Sequence, residues 1–462
     1  MALSTADLTH VLLAVVALLV AAHLGGHLFR LIHQPQVIGE IAGGLVLGPT
    51  VLGALAPSAQ RWLLPTTGPT AAVLGAVYHL GLLFLVHLTG TELRRRGSGA
   101  QVRTIGLIAG VGLILPFLFG LGIARVADLR GLSGPAGSPM TLTMVFGMAI
   151  AVTSVPVISR IMLDVGILGT VFARIVLAVA VIEDIALYVI LAIVLGVAQA
   201  EASDAYGLWS LLGTDSLPLA GMYFTLVPLT FIAAMLRWGP RAFARLSAAR
   251  FNAVAERSPL AFRLVFLFLM CAACAGLGID PIFGALVAGM CDADAVGRKE
   301  HDSQEVLRSF SLAFFIPVYF AMVGVKLDLA HHFDLLFFCW FFALACAAKL
   351  FSVWLGARLA HETNSAALHL AVALNARGGP GIVLASVALG AHVINESFFT
   401  SLVLLSVLTS QLAGLWLGSA VARGHVLSTG VPPIGHPPAD RPLTARVPTD
   451  HAPEGAKNDS PA

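Results

Sequence analysis

The chain contains very little charge. Only 11% of its 462 residues are Asp, Glu, Lys or Arg, whereas 58% are hydrophobic and the mean hydropathy is +0.89. Because a soluble domain carries about 25% charged residues, this composition excludes a soluble globular protein and indicates a polytopic membrane protein. The chain also has no basic patch with interleaved aromatic residues, so we expect no nucleic acid partner.

Cysteine is scarce as well. Five cysteines occur, all within or at the end of apolar segments. Cys271 and Cys274 form a C-x-x-C pair, but no second pair of ligands follows it, which favours packing over a metal or redox site. We therefore expect no metal site and no cofactor.

Long apolar segments fill most of the chain. We count about thirteen, which predicts an all-α polytopic membrane protein with a transmembrane domain over residues 1–422. Residues 423–462 are Pro-rich, polar and without periodicity, which predicts a disordered cytoplasmic tail. The expected spans are 8–29, 35–56, 71–92, 104–127, 140–162, 168–198, 218–238, 260–277, 279–296, 309–326, 333–359, 366–391 and 397–421.

The distribution of basic residues between the spans predicts the orientation. Most Lys and Arg residues outside the spans fall in one set of alternate loops, and the positive-inside rule places that set in the cytoplasm. The N-terminus is then outside the cell membrane and the C-terminus inside. Asp280, Asp292 and Asp294 fall at span ends, where we expect solvated charges.

Two adjacent carboxylates, Glu183 and Asp184, lie at the centre of the span 168–198. A carboxylate at that depth costs roughly 2.5–3.5 kcal/mol on insertion, so such residues usually bind ions or carry protons. Lys349 lies deep in the span 333–359 and needs a buried counter-charge, for which Glu183 or Asp184 is the candidate. For the two carboxylates the alternative interpretation is a structural hydrogen-bonding pair inside the bundle, and for Lys349 it is a structural lysine paired to a helix end.

Two spans carry helix breakers at mid-membrane. The span 140–162 has Thr153, Ser154 and Pro156 at its centre, and the span 366–391 has the run Arg-Gly-Gly-Pro-Gly at 377–381. If the seventh helix is a linker, the broken helices are the fifth of helices 1–6 and the fifth of helices 8–13. Matched broken segments in two halves predict a secondary transporter built from two inverted repeats.

Several motifs resemble those of the monovalent cation:proton antiporter-2 family, which has the sodium/proton exchanger fold. The second span reads QPQVIGEIAGGLVLGPTVLG, the third ends in LGLLFLVHLTGTEL and the tenth contains FFIPVYFAMVGVKLDL. The resemblance covers about residues 8–421. Its single-residue matches are Thr153, Ser154, Lys349, Asn375, Arg377 and Gly378.

The resemblance implies exchange of Na⁺ or K⁺ for protons, and the protein would be a transporter rather than an enzyme. Asp184 would bind cation and proton alternately, because a buried carboxylate is more stable when neutralised. Oxygen atoms of Thr153 and Ser154 would help to hold the cation. Glu183 would form an ion pair with Lys349, and we group Arg377 with this coupling pair. The family also implies a homodimer in the lipid bilayer.

Lys349 leaves two possibilities for the stoichiometry. If cation binding breaks its ion pair, Lys349 could release a proton, and the exchange would be electrogenic. If Lys349 is a fixed structural partner, the exchange is one-for-one.

The chain departs from the family's motifs at two positions. Family members that are electrogenic usually have Asp-Asp where this chain has Glu183-Asp184. The family's Arg-Gly-Glu is Arg-Gly-Gly here, with Gly379 in place of the glutamate.

Three other functions compete with this interpretation. A potassium-efflux antiporter of the same superfamily would carry Gln before the aspartate and a nucleotide-binding domain after the last span, and the tail has no Rossmann glycine pattern. A channel-like member would conduct without exchange. An intramembrane aspartyl protease needs two carboxylates about 3 Å apart, normally from different helices, whereas these two are neighbours on one helix.

Overall fold

A computed structural model describes residues 3–32, 34–95, 102–168, 170–201, 217–249, 252–278, 280–293, 298–330 and 333–423. Within these ranges the secondary structure is helical, apart from one isolated bridge between Ser133 and Ile394. The predicted cytoplasmic tail begins at the last described residue, so its disorder stays a prediction.

The helices are numbered here in chain order. Two π-helical turns, Pro49–Gly53 and Ser311–Phe315, and a 3₁₀ turn, Arg130–Leu132, accompany them. The α-helices are α1 (Thr5–Leu31), α2 (Gln36–Leu47), α3 (Pro57–Leu63), α4 (Gly68–Arg95), α5 (Val102–Val126), α6 (Pro139–Ala151), α7 (Val155–Asp164), α8 (Val171–Glu201), α9 (Leu217–Ser247), α10 (Ala253–Arg257), α11 (Pro259–Gly276), α12 (Pro281–Asp292), α13 (Arg298–Phe310), α14 (Ile316–Val325), α15 (Leu335–Leu359), α16 (Asn364–Leu374), α17 (Gly378–Gly390) and α18 (Glu396–Ala422).

Each of the thirteen expected spans contains helix within the residues that the structure describes. Ten helical segments in the described residues are long and apolar enough to cross a membrane. The other three expected spans are 140–162, which is split into α6 and α7, 218–238, which lies in α9, and 279–296, which contains the shorter apolar helix α12. The polytopic all-helical prediction is therefore confirmed.

The helices pack into two bundles. Close packing joins α1, α2, α4, α11, α12 and α14 into one, the scaffold bundle. Close packing also joins α5–α8 and α15–α18 into the other, the site bundle, which contains both broken helices. Helix α9 lies against α8 of the site bundle and α12 of the scaffold bundle, as expected for a linker between two repeats.

Backbones approach closely inside the scaffold bundle because glycines lie at the helix crossings. A side chain at Gly44 of α2 would collide with the backbone of Ala321 in α14, and one at Gly289 of α12 would collide with the backbone of His87 in α4. In membranes, where apolar surfaces gain little from leaving lipid, small residues at such crossings strengthen helix association through van der Waals contact.

The first break in the site bundle separates α6 from α7. Ser138 begins α6 with a capping box in which its side chain accepts from the Thr141 amide. The helix ends at Ala151, and the next residue, Val152, has extended backbone. Helix α7 then starts at Val155 with Pro156 at its second position, where a missing N–H disrupts no helical hydrogen bond.

The second break separates α16 from α17. Gly378, the first residue of α17, has φ +39°, a left-handed conformation that favours glycine. Hydroxyls of the last helix replace the missing helical partners, since the amides of Arg377 and Gly378 donate to Thr409 (3.4 Å) and Ser410 (3.1 Å) of α18. The breaks therefore fall where the sequence predicted them, and their polar groups are satisfied inside the protein.

A buried charge cluster joins four helical segments of the scaffold. Arg263 of α11 forms an ion pair with Asp292 of α12, and both side chains are at most 2% exposed. The guanidinium also donates to Ser303 of α13 at 2.9 Å, and His87 Nε2 of α4 lies 3.8 Å from Asp292 Oδ2. The expectation of a solvated charge at Asp292 was wrong, because Arg263 of α11 and His87 of α4 lie against its carboxylate. Asp294, for which we expected the same, lies outside the described residues.

We expect Asp292→Asn to destabilise the protein by about 3–5 kcal/mol, since it leaves the Arg263 charge buried without a counter-charge. Thermal unfolding in detergent measures the change. The control is Glu305→Gln, which removes an exposed pair with Arg308 (3.7 Å) and should cost about 0–1 kcal/mol. Equal effects of the two substitutions would contradict a stabilising role for the buried cluster.

Candidate functional site

The site is built around the middle of α8, where Glu183 and Asp184 are 1% and 0% exposed. Helix α8 runs unbroken from Val171 to Glu201. Successive residues of an α-helix point about 100° apart, so the two carboxylates face different neighbours. Both lie inside the site bundle, and the structure therefore places both predicted acids in the protein interior rather than at a lipid-facing surface.

Glu183 forms an ion pair with Lys349 of α15. The ammonium Nζ lies 3.0 Å from Oε1 and 2.9 Å from Oε2 of the carboxylate, and both side chains are fully buried. The structure thus brings together the lysine and the first of the two acids. In a low-dielectric environment this pairing offsets the desolvation of each charge only when further hydrogen bonds complete it.

Those further hydrogen bonds come from two backbone carbonyls. The Lys349 ammonium donates to Ala151 O at 2.6 Å and to Gly112 O at 2.9 Å. Ala151 is the last residue of α6, so the ammonium lies at the negative end of that helix dipole. Gly112 of α5 also leaves room for the acid, because a Cβ atom there would lie 3.0 Å from Glu183 Oε1.

Arg377, between α16 and α17, is fully buried and donates to neutral oxygens. Its Nε and Nη2 bond the carbonyls of Ala149 and Ile150 at 3.0 Å each, and Nη2 also bonds Ala345 O at 2.9 Å. Its Nη1 bonds the Asn375 side-chain oxygen at 2.8 Å. The sequence led us to group Arg377 with the coupling ion pair, whereas these contacts tie the second break to the C-terminal end of α6.

Thr153 and Ser154 lie in the first break and are both fully buried. The Thr153 hydroxyl donates to Leu374 O at 2.7 Å, which satisfies a carbonyl at the end of α16. Ser154 Oγ accepts from the Val157 amide at 3.4 Å, and it lies so close to Gly378 that a Cβ there would meet it. The two breaks therefore cross in contact with each other.

Asp184 lies beside this crossing and within electrostatic range of Lys349 and of Tyr188. Tyr188 follows it by four residues, on the same face of α8. The sequence analysis missed Tyr188 and Gly112 as members of the site, and it named Asn375 as a family match without giving it a role. The i, i+4 spacing of Asp184 and Tyr188 could have indicated the tyrosine, but no local pattern indicates a carbonyl contributed by Gly112.

The arrangement can bind and release a small cation. It combines a buried carboxylate, hydroxyl oxygens and the carbonyls of two interrupted helices at one depth, which are the hard oxygen ligands that alkali and other hard cations prefer. A proton can neutralise the same carboxylate. Four charged side chains meet here, Glu183, Asp184, Lys349 and Arg377, so one added positive charge changes the electrostatics of the whole crossing.

Sequence comparison matches residues 14–423 to the family described as "Sodium/hydrogen exchanger, transmembrane". Cation/H(+) antiporter 20 of Arabidopsis thaliana is 29% identical over 402 residues, which cover 83% of this chain and 45% of the plant protein. The chain thus spans about half the length of that relative. Na(+)/H(+) antiporter NhaS4 of Synechocystis sp. is 26% identical over 419 residues, covering 88% of this chain and 96% of the relative.

Among solved structures, the fold is similar to that of the sodium proton antiporter MjNhaP1 from Methanocaldococcus jannaschii. The TM-score is 0.62 at 16% sequence identity, and the match covers 91% of this chain and 98% of the other. This likeness identifies the fold of the two bundles and of the crossed broken helices.

We expect Glu183→Gln to destabilise the protein by about 3–5 kcal/mol, because it leaves the Lys349 charge buried without its carboxylate. The double variant Glu183→Gln/Lys349→Met removes both charges and should recover most of that loss. Thermal unfolding in detergent compares the three proteins. A double variant less stable than the single one would show that Lys349 stabilises the protein mainly through the carbonyls of Ala151 and Gly112.

Proposed function

We propose, from the premise that the chain belongs to the sodium/hydrogen exchanger family, that it is a secondary antiporter exchanging Na⁺ or K⁺ for protons. It is a multi-pass membrane protein, and its relatives named above are called cation or sodium antiporters. Exchange by this chain, and the choice between the two cations, are our inference.

One observation carries the proposal. A second fully buried carboxylate, Asp184, directly follows the ion-paired Glu183 at the level where two helices are interrupted. A carboxylate in such surroundings is far more stable when a positive charge neutralises it. A proton and a metal cation can each do so, and they compete for the same oxygens. Because only one of the two can occupy the carboxylate at a time, this competition makes exchange obligatory, and no second coupling site is needed.

The cation would be held by oxygen atoms around Asp184. The Thr153 hydroxyl donates a hydrogen bond to Leu374 O and lies against Glu183, and its oxygen lone pairs remain available to a cation beside the two acids. Ser154 lies next to it in the same break. Carbonyls near the break can contribute in the same way as half-helix ends do in other transporters. These ligands suit Na⁺ and K⁺ alike, so the preference between them is a matter for experiment.

The contacts of Lys349 support a one-for-one stoichiometry. Four oxygen atoms surround an ammonium that has three protons, and two of these atoms are backbone carbonyls that cannot be protonated. The ammonium form is therefore stabilised even when the charge at Asp184 changes. We propose that Lys349 keeps its proton throughout the cycle and that Asp184 alone exchanges proton for cation.

Access to the site would alternate through motion of one bundle against the other. The dense helix packing lies within the site bundle and within the scaffold bundle, so each can move as a unit. We propose further that the N-terminus is outside the cell membrane and that the protein is a homodimer in the lipid bilayer. The apolar side chains exposed on α1, such as Leu12, Leu24 and Leu28, offer a surface for either lipid or a second subunit.

We expect Asp184→Asn to abolish exchange, because an amide can neither bind a proton nor neutralise a cation. Everted vesicles from an antiporter-deficient host are acidified, NaCl or KCl is added, and the decay of the proton gradient is followed with a fluorescent dye. Wild type should dissipate the gradient with at least one of the two salts. The matched control is Asp302→Asn, an exposed aspartate on α13, which should behave as wild type.

Three results would contradict the proposal. Exchange that survives in Asp184→Asn would remove that residue from the mechanism. Proton leakage without any added cation would indicate a channel-like pathway, whereas an enzyme such as a protease would leave the gradient unchanged in every vesicle.

We expect the exchange rate to be insensitive to membrane potential, since one positive charge moves in each direction. Purified protein in liposomes is supplied with a gradient of the transported cation, and the potential is set with a gradient of the lipophilic cation tetraphenylphosphonium before internal pH is recorded. A rate that changes with the sign of the potential would instead support proton release from Lys349 and an electrogenic exchange.

A further inference from the structure

Four buried hydroxyl groups lie close to one another beyond the carboxylates. They belong to Tyr78 of α4, Tyr188 of α8, Tyr319 of α14 and Ser386 of α17, and none of these residues is more than 5% exposed. The hydroxyls of Tyr319 and Ser386 are 3.0 Å apart and hydrogen-bonded. The Tyr78 and Tyr319 rings pack with their centroids 5.1 Å apart.

Tyr188 connects this cluster to the cation site. It follows Asp184 by one helical turn, a rise of about 6 Å along α8, and it lies within electrostatic range of both Asp184 and Tyr319. Its hydroxyl is buried and has no hydrogen-bond partner among the described residues, whereas the Tyr78 side chain lies against that of Ser386. A buried hydroxyl without a partner is costly, which favours a second state in which the Tyr188 oxygen is used.

The cluster also joins the two bundles. Tyr78 and Tyr319 belong to the scaffold bundle, whereas Tyr188 and Ser386 belong to the site bundle. The Tyr319–Ser386 hydrogen bond therefore crosses the boundary along which the bundles would slide. Tyr188 crosses it too, since its ring packs edge-on against Phe283 of α12 with centroids 6.5 Å apart.

The helices place the cluster on one side of the site. Tyr319 lies in α14, which ends at Val325 just before Lys326, and the Lys326 ammonium lies 3.8 Å from the centroid of the Tyr78 ring. In the orientation proposed above, Lys326 is at the outer face. The aromatic rings thus fill the space between Asp184 and the outside of the cell.

We propose that Tyr78, Tyr188, Tyr319 and Ser386 form the outer gate of the exchanger, held shut by the hydrogen bond between Tyr319 and Ser386. This inference rests on the proposed exchange function. When the bundles shift, the bond breaks, the rings separate and four hydroxyl oxygens line the outer route to Asp184. Hydroxyl oxygens can replace water around a cation on that route, which gives the Tyr188 hydroxyl a role.

The test compares the two sides of the membrane. Tyr319→Phe keeps the ring and removes the hydrogen bond, and Ser386→Ala removes the same bond from the other bundle. Loss of one hydrogen bond should raise the outward-open population about five-fold. We expect the apparent KM for the transported cation to fall about five-fold at the outer face, which right-side-out vesicles measure. The KM at the inner face, which everted vesicles measure, should change little. Na⁺ and K⁺ are tested separately.

Two further variants make the result specific. The double variant Tyr319→Phe/Ser386→Ala should match the single ones, because each removes the same bond. The control is Ser401→Ala, a buried serine of α18 that donates to Ser397 O of its own helix at 3.0 Å, and both of its KM values should equal those of wild type.

The outcomes separate the gate from the exchange function. Equal KM values in wild type and both single variants, a shift on the inner face instead, or additive effects in the double variant would overturn the gate while leaving exchange intact. Absence of cation-dependent exchange in wild-type vesicles of both orientations would overturn the exchange function and the gate with it.

Discussion

The C-terminal end of α6 sets the arrangement of the site. Interrupting this helix inside the protein exposes carbonyl oxygens that neither water nor the next turn can satisfy. Lys349 and Arg377 supply the missing donors, contacting the last carbonyls of the helix, Ala149, Ile150 and Ala151. The buried positive charges of Lys349 and Arg377 then require negative charge nearby, and the carboxylates of α8 provide it. The break, the cations and the acids therefore depend on one another.

The sequence predicted much of this because membrane burial makes polar residues conspicuous. In a span as apolar as 168–198, Glu183 and Asp184 stand out, and a lysine as deep as Lys349 leaves few candidates for its counter-charge. Helix breakers marked both breaks for a similarly local reason, since Pro156 at the first and the Gly-Gly-Pro-Gly run at the second disfavour a continuous helix at mid-span. The number of spans followed from length and hydropathy alone.

The features that the sequence did not predict depend on register between distant helices. Arg377 contacts carbonyls of residues 149, 150 and 345, and no sequence pattern specifies which backbone atoms will face an arginine. Asp292 was expected to be solvated because it ends a span, but Arg263 pairs with it and His87 lies beside it. The same reasoning explains why the contact between Tyr319 and Ser386 was not foreseen.

Gly112 has a consequence for how this site can vary between proteins. Its backbone oxygen holds Lys349, while its missing side chain provides the space that the longer arm of Glu183 occupies. Volume at positions 112 and 183 is thus shared between two helices. A chain with a shorter acid at the second position would leave a gap that a methyl group at the first could fill. The two positions should therefore covary across related sequences, the size of one setting the limit for the other.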